Sequence, residues 1–160
     1  MSECHVESQV NARIERVKFA DLESHPSWLP MLDEYADECQ LAGMPRAECQ
    51  SDMYRAMEQY GALHSHAVYV GDDLAGFCFL LISTLPHYGK VVGTTESIFV
   101  RQEYRHTGAG LALVRAIEKY AREQEAIAMI FSAPKGGRME QLMPALGYTN
   151  TNLVFFKGLE

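Results

Sequence analysis

The 160-residue sequence predicts an α/β fold with a mixed, mostly antiparallel sheet of six to seven strands flanked by about four helices. β-rich segments alternate along the chain with segments of helical periodicity. A Gly-Asp-Asp turn at 71–73 joins two of the β-rich segments as a hairpin. No repeat, linker or low-complexity tract interrupts this pattern. Residues 12–160 therefore form the predicted single domain, and residues 1–11 a flexible tail.

The first half of the chain predicts a strand, two helices and then the hairpin. Alternating apolar and charged residues predict the strand within residues 12–19. The first helix runs from Pro26 or Pro30 to about residue 40, and the second covers residues 46–60, with Met53, Met57 and Tyr60 on one apolar stripe. The β-rich segments that follow are residues 67–70, 74–83 and 91–100.

The second half predicts a long amphipathic helix from Gly108 to Glu125. The nearly continuous apolar run at residues 126–133 predicts a strand covered on both faces. A short helix over residues 138–146 and a final strand over residues 152–157 complete the predicted order.

Composition narrows the function classes. The formal charge is -7, the pI is about 5.4, and only 14 residues are Lys or Arg, which argues against a nucleic-acid partner. The apolar runs are too short to span a bilayer, and the N-terminus lacks the pattern of a secretory signal. Four cysteines without C-x-x-C spacing indicate reduced thiols. We therefore expect a cytoplasmic protein without a membrane partner.

Residues 96–111, ESIFVRQEYRHTGAGL, join a predicted strand to the long helix. The N–H groups at a helix start carry partial positive charge, and glycines let an anion approach them closely. Arg105 adds a permanent cation. Such a loop is also often only a turn, and a P-loop or dinucleotide fingerprint does not fit, since the third glycine of the latter would fall at Leu113. The pattern favours a diphosphate.

This loop resembles the R/Q-x-x-G-x-G/A motif of the GNAT superfamily of N-acyltransferases. The lead-in Val100-Arg-Gln-Glu-Tyr104 resembles that family's V-x-x-x-Y/F pattern, and the likeness covers residues 67–158. The segment 137–148 is similar to some phage-encoded members. The resemblance implies a GNAT-like fold and acetyl transfer from acetyl-CoA to a primary amine by direct attack in a ternary complex.

The resemblance also implies where acetyl-CoA binds. The pantetheine arm would pair with backbone groups of Ile98, Phe99 and Val100. The diphosphate would lie on the loop formed by Arg105, His106, Thr107, Gly108, Ala109 and Gly110. Within that loop, the His106 side chain is predicted to face solvent rather than to act in catalysis.

Glu96 is the one acidic residue in the predicted strand 91–100, where members of this family often place a carboxylate base. It could remove the proton of the amine, or it could only anchor the amine or meet a polar partner. Where many relatives carry a Tyr general acid, this sequence has Met143, so the acid stays open between Tyr148, Ser132 and water.

The acceptor side is predicted from two features. The loop at residues 86–88 either contacts the acceptor or serves as a flexible lid. Four carboxylates of the first predicted helix either draw an amine-bearing substrate or form a solvated face. These carboxylates are Asp33, Glu34, Asp37 and Glu38.

His64 and His66 have the spacing of two metal ligands without a nearby third, so no metal is predicted. The expected partner is a small-molecule or peptide amine, and a homodimer stays open. A rival function is a non-catalytic acyl-CoA-binding module that kept the loop and lost proton transfer, which the missing Tyr would allow.

Overall fold

The computed structural model describes residues 12–159, and the predicted tail at residues 1–11 lies outside them. The strands are β1 (Ala12–Val17), β2 (Leu63–Val70), β3 (Asp73–Leu85), β4 (Lys90–Val100) and β5 (Met129–Ile130). They form one sheet in the order β1-β2-β3-β4-β5. Neighbours from β1 to β4 are antiparallel, and β5 is parallel to β4, so the prediction of a mixed, mostly antiparallel sheet is confirmed.

The described residues form more helices than the predicted four or so. Five are α-helices: α1 (Phe19–Glu23), α2 (Trp28–Glu38), α3 (Ser51–Gln59), α4 (Ala109–Glu123) and α5 (Arg138–Leu142). Two are 3-10 helices, at Gln102–Thr107 and Met143–Leu146. The unpredicted α1 has only five residues. A helix that short gives no readable 3.6-residue period.

The predicted sheet of six to seven strands is wrong, because the described residues form five. Of the apolar run 126–133 only Met129–Ile130 is a strand, and residues 152–157 form none. The side chains of residues 152–157 are exposed, with Val154 at 89% and Phe155 at 88%. High β-propensity reports a side chain that suits a pleated surface, but a strand also needs a partner edge. The short β5 provides little edge to extend.

The two faces of the sheet carry different cores. Helices α1, α2 and α3 cover an aromatic core in which Trp28 packs edge-on against Phe77 with ring centroids 5.2 Å apart. Helix α4 covers an aliphatic core with Leu113 and Ile117. Each fully buried side chain of this kind contributes about 1.5 to 3 kcal/mol. The two cores therefore cover both faces of the sheet that contains β4.

Three described cysteines, Cys39, Cys49 and Cys78, are free thiols, and Cys4 lies outside the described residues. Within residues 12–159, no helix combines the length and apolar character needed to cross a membrane.

Candidate functional site

Strands β4 and β5 separate after two residue pairs. Gly93 lies opposite Met129 and Thr94 opposite Ile130. A Cβ on Gly93 would lie 2.5 Å from the Met129 sulfur and 3.2 Å from the Ala121 Cβ, so a larger residue would have to displace the Met129 side chain. Beyond Thr94, β4 continues to Val100 with β3 as its partner on one side. The second half of β4 therefore presents an open edge within the described chain.

A β-bulge lies at Glu96. Thr95 and Ser97 each have a partner in β3, and Glu96 is the extra residue between them. Before the bulge, the odd-numbered residues Val91 and Gly93 bond toward the β5 side. Because the bulge adds one residue, the even-numbered residues take the orientation toward that side in the rest of the strand.

After the bulge, even-numbered residues face the open edge. The Arg101 N–H donates to the Ala75 carbonyl at 2.8 Å, so Val100 and its partner in β3 form a non-hydrogen-bonded pair. Backbone groups in such a pair point away from the partner strand, and the pattern alternates along the ladder. The backbone groups of Ile98 and Val100 thus face the edge, whereas those of Phe99 bond within the sheet.

The chain passes from β4 to α4 through the 3-10 helix Gln102–Thr107. Gly108 follows with φ 82° and ψ 2°, a left-handed conformation that glycine adopts readily, and it is the N-cap of α4. The Ala112 N–H donates to the Gly108 carbonyl at 3.0 Å. The N–H groups of the residues before Ala112 belong to the first turn of α4, where the helix provides no carbonyl acceptor four residues earlier. A Cβ on Gly108 would meet no atom within 4 Å, so this helix start is accessible.

Arg105 lies between the loop, the end of β4 and α2. Its Nε donates to the Val100 carbonyl at 2.8 Å, and its Nη2 donates to both carboxylate oxygens of Glu38 at 2.7 Å. The guanidinium carbon is 5.4 Å from the centre of the Phe99 ring. One side of the guanidinium is therefore anchored, and Nη1 makes no hydrogen bond to the described residues.

The other residues of the predicted diphosphate loop differ in exposure and hydrogen bonding. The His106 side chain is exposed, and Ala109, the first residue of α4, is buried in the aliphatic core. The Thr107 hydroxyl donates to the Tyr104 carbonyl at 2.6 Å. The hydroxyl of Thr107 therefore shapes the turn.

The Glu96 carboxylate is exposed and accepts hydrogen bonds from two hydroxyl groups. Tyr54 of α3 donates to Oε1 at 3.1 Å, and Ser97 donates to Oε2 at 2.8 Å. The Tyr54 ring packs against Phe19 and Phe79, with centroids 5.3 and 4.7 Å away. The packed ring fixes the hydroxyl and, through it, the orientation of the carboxylate.

Two tyrosines near Glu96 are kept protonated. Burial raises the pKa of Tyr54, and the Glu96 carboxylate raises it further. Burial also raises the pKa of Tyr35, with smaller contributions from Cys39 and Glu96. Both hydroxyls are therefore hydrogen-bond donors at neutral pH.

The sequence prediction missed Tyr54 because it placed Met53, Met57 and Tyr60 on the buried stripe of the second helix. That stripe is wrong: Met53 is 63% exposed and Tyr60 is 87% exposed. Tyr54 and Met57 pack on the aromatic core instead. The helix begins at Ser51 rather than residue 46, and the insertion of the Tyr54 ring sets its rotation.

The acidic residues of α2 are paired with arginines. Arg46 forms ion pairs with both Asp33 and Asp37. The Nε of Arg101 lies 2.8 Å from Glu34 Oε1, and Arg105 pairs with Glu38. All four predicted carboxylates thus have a cationic partner.

The candidates for the general acid are dispersed. Met143 is buried, and the Tyr148 hydroxyl donates to Glu118 of α4 at 2.7 Å. The Tyr148 ring packs edge-on against Phe131 with centroids 5.0 Å apart. Tyr148 therefore attaches the segment that follows the 3-10 helix Met143–Leu146 to α4. Ser132 is exposed just beyond β5, and Tyr88, in the β3–β4 turn, is 71% exposed.

The histidine pair of β2 is part of the aliphatic side of the sheet. His64 Nδ1 lies 2.8 Å from the Tyr120 hydroxyl, and the His66 ring is 5.0 Å from the Tyr120 ring. Burial lowers the pKa of His64 and lowers that of His66 to about 4. Among residues 12–159, no three His, Cys, Asp or Glu side chains are grouped so as to hold a metal ion.

Comparison with solved structures shows the same fold in several acetyltransferases. The ribosomal-protein-alanine N-acetyltransferase of Brucella melitensis biovar Abortus 2308 has a TM-score of 0.68 at 18% identity, covering 91% of this chain and 96% of that one. An aminoglycoside acetyltransferase from an uncultured soil metagenomic sample, in complex with sisomicin, has a TM-score of 0.71 at 12% identity, covering 93% and 97%. Glucosamine-6-phosphate N-acetyltransferase from Arabidopsis thaliana has a TM-score of 0.70 at 11% identity, covering 94% and 99%.

No curated protein matches the chain by sequence. The model of the acetyltransferase (GNAT) family matches residues 28–147, well over half of the chain. That range contains the open edge of β4, Glu96 and the loop that leads into α4. The chain therefore belongs to the GNAT acetyltransferase family and is an acyltransferase.

Proposed function

We propose that the protein transfers an acetyl group from acetyl-CoA to a primary amine by direct attack in a ternary complex. The observation that carries this proposal is the open edge of β4 next to the first turn of α4. An unpaired strand edge can bond amide groups, and a helix start can bind a diphosphate.

The residues at this edge fit acetyl-CoA. The outward backbone groups of Ile98 and the N–H of Val100 suit the amides of the pantetheine arm, while the Val100 carbonyl accepts from Arg105. The N–H groups from Thr107 to Gly110 suit the diphosphate, although that of Ala109 already donates to the Thr107 hydroxyl oxygen at 3.4 Å. Arg105 retains free donors on Nη1. Acetyl-CoA would supply a thioester carbonyl that an amine can attack.

Glu96 is the proposed general base. Its carboxylate is exposed and held in place by Tyr54 and Ser97, so it can accept the proton of an incoming ammonium group, directly or through water. Both of its hydrogen bonds come from neutral hydroxyls, and each carboxylate oxygen keeps further acceptor capacity.

The proposed acceptor is a small-molecule or peptide amine. Relatives of the same fold include enzymes that act on a ribosomal-protein alanine and on aminoglycosides, which supports an amine acceptor without selecting one. We place the protein in the cytoplasm, since its three described cysteines are free thiols.

A turnover assay tests this function. Purified protein, acetyl-CoA and a panel of primary amines are incubated, thiol release is followed, and the products are identified by mass. We expect thiol release that depends on the amine and yields one acetylated amine per thiol. Tight CoA binding without acetylation of any amine would instead support the non-catalytic acyl-CoA-binding module.

A further inference from the structure

The 3-10 helix Gln102–Thr107 contains the first three residues of the proposed diphosphate loop, Arg105 to Thr107. None of the residues of this short helix is buried. Hydrogen-bond geometry in a 3-10 helix is also poorer than in an α-helix. Burial and backbone hydrogen bonds therefore fix this segment only weakly, and its orientation depends on the side chains that attach it to its neighbours.

Side chains attach this 3-10 helix on two sides. On the side of the aliphatic core, the half-buried Tyr104 packs against the core, and its hydroxyl donates to Asp73 Oδ2 at 3.0 Å. On the opposite side, the residue that precedes the helix, Arg101, reaches α2, where its Nε donates to Glu34 Oε1 at 2.8 Å. Arg101 thus links the start of the 3-10 helix to α2.

Helix α2 is a firm support for this link, since its Trp28 is only 1% exposed in the aromatic core. The side chains of Arg101 and Glu34 are 21% and 35% exposed. Those of the neighbouring pair, Arg105 and Glu38, are 27% and 43% exposed. The pair between Arg101 and Glu34 is therefore the better shielded of the two, and shielding reduces the screening of an ion pair by salt.

We propose that Glu34 is a positioning residue for the cofactor: through Arg101 it holds the 3-10 helix in the orientation in which the loop receives the diphosphate. This inference deepens the proposed function and rests on the binding of acetyl-CoA at that loop. Without the link, a fraction of the molecules would hold the loop in other orientations, and the apparent CoA affinity would fall accordingly.

The sign of the effect distinguishes positioning from simple electrostatics. CoA is an anion, so by charge alone the loss of a nearby carboxylate should strengthen its binding. Loss of positioning should weaken it. A weaker CoA complex after neutralisation of Glu34 is therefore opposite to what Coulomb's law alone predicts.

The test measures CoA binding to the full-length protein by calorimetry. We expect Glu34→Gln to weaken binding by about 5-fold, the upper end of the effect of a partly exposed ion pair. Glu103→Gln is the matched control, because Glu103 lies 3.2 Å from the Nη2 of the same arginine but belongs to the 3-10 helix itself. The control removes the same charge without detaching that helix from α2, so its CoA affinity should stay the same or rise. Unchanged or stronger binding by Glu34→Gln, or an equal loss in both variants, would overturn the inference.

A truncated donor separates positioning of the loop from a general loss of structure. S-acetylpantetheine carries the thioester and the pantetheine arm without the diphosphate. Glu34→Gln should raise the KM for acetyl-CoA, leave kcat at saturating acetyl-CoA nearly unchanged, and keep the wild-type kcat/KM for S-acetylpantetheine. A parallel loss with both donors would mean that Glu34 supports the fold as a whole, and the inference would be wrong. Failure of the wild-type protein to bind CoA would overturn the proposed function itself.

Discussion

The proposed cofactor side and the proposed acceptor side of the candidate site are built in different ways. The cofactor side consists of one continuous stretch, from the bulge at Glu96 to the start of α4, and offers mainly backbone groups. The acceptor side combines side chains from α2, α3 and β4, which are far apart in sequence. Binding by backbone should tolerate side-chain changes that catalysis by side chains cannot.

The largest effect is expected on the acceptor side, at Glu96→Gln. An amide cannot accept the proton of the amine, so turnover should fall by about 100-fold to 10,000-fold, the range for general-base catalysis. Acetyl-CoA affinity should stay nearly intact, because the side chain lies outside the proposed cofactor contacts. Steady-state kinetics and calorimetric titration with acetyl-CoA measure the two quantities.

The pH profile of Glu96→Gln separates a base from an anchor. High pH should partly restore turnover if a base is missing, because more amine is then already neutral. Loss of an anchor would mainly raise the acceptor KM and would not be rescued. Wild-type turnover of the variant across roughly pH 6 to 9, a span that brackets plausible base pKa values, would refute the assignment.

On the cofactor side, Arg105→Ala should weaken CoA binding by about 1 to 3 kcal/mol, the range for a lost charge-assisted hydrogen bond. Turnover at saturating acetyl-CoA should change much less. Glu38→Gln is the matched control, since it breaks the same ion pair and keeps the guanidinium. If Glu38→Gln weakens CoA binding as much as Arg105→Ala does, Arg105 acts through α2 and not as a ligand.

Tyr54→Phe tests whether the acceptor side depends on the orientation of Glu96. The variant loses the 3.1 Å hydrogen bond to Oε1 and keeps the packed ring. We expect turnover to fall about 10-fold, the lower end of the effect of a hydrogen bond to a charged group. Tyr60→Phe removes an exposed hydroxyl from the end of the same helix and should have no effect. Equal turnover of the two variants would exclude a positioning role for Tyr54.

The smallest effect is expected at His106→Ala. The side chain is exposed, so CoA affinity should stay within about 0.5 kcal/mol of the wild-type value, as for most surface substitutions. Calorimetry under the conditions used for Arg105→Ala provides the comparison. A loss as large as that of Arg105→Ala would mean that the imidazole is a ligand, and that the cofactor side depends on side chains as well.

Three of the strands and the longest helix followed from local patterns. The alternation in β1, the hairpin of β2 and β3 and the amphipathic helix α4 were predicted from residues close together in sequence, and the structure contains them. The predictions of a final strand at residues 152–157 and of a full strand at residues 126–133 were wrong, because they rested on propensity. Propensity alone cannot supply a partner edge, and β5 pairs with β4 over two residues only.

The sequence by itself determined the α/β class of the fold and led to the proposal that the loop from Arg105 to Gly110 binds a diphosphate, because both depend on spacings within one stretch of chain. The tertiary structure decided which groups meet at the candidate site. It brought Tyr54 to Glu96 across 42 positions of the sequence and placed Glu38 on Arg105 across 67. It also set, through a one-residue bulge, which backbone groups of β4 face the open edge. Contacts between distant elements depend on how whole layers pack, and no local pattern records them.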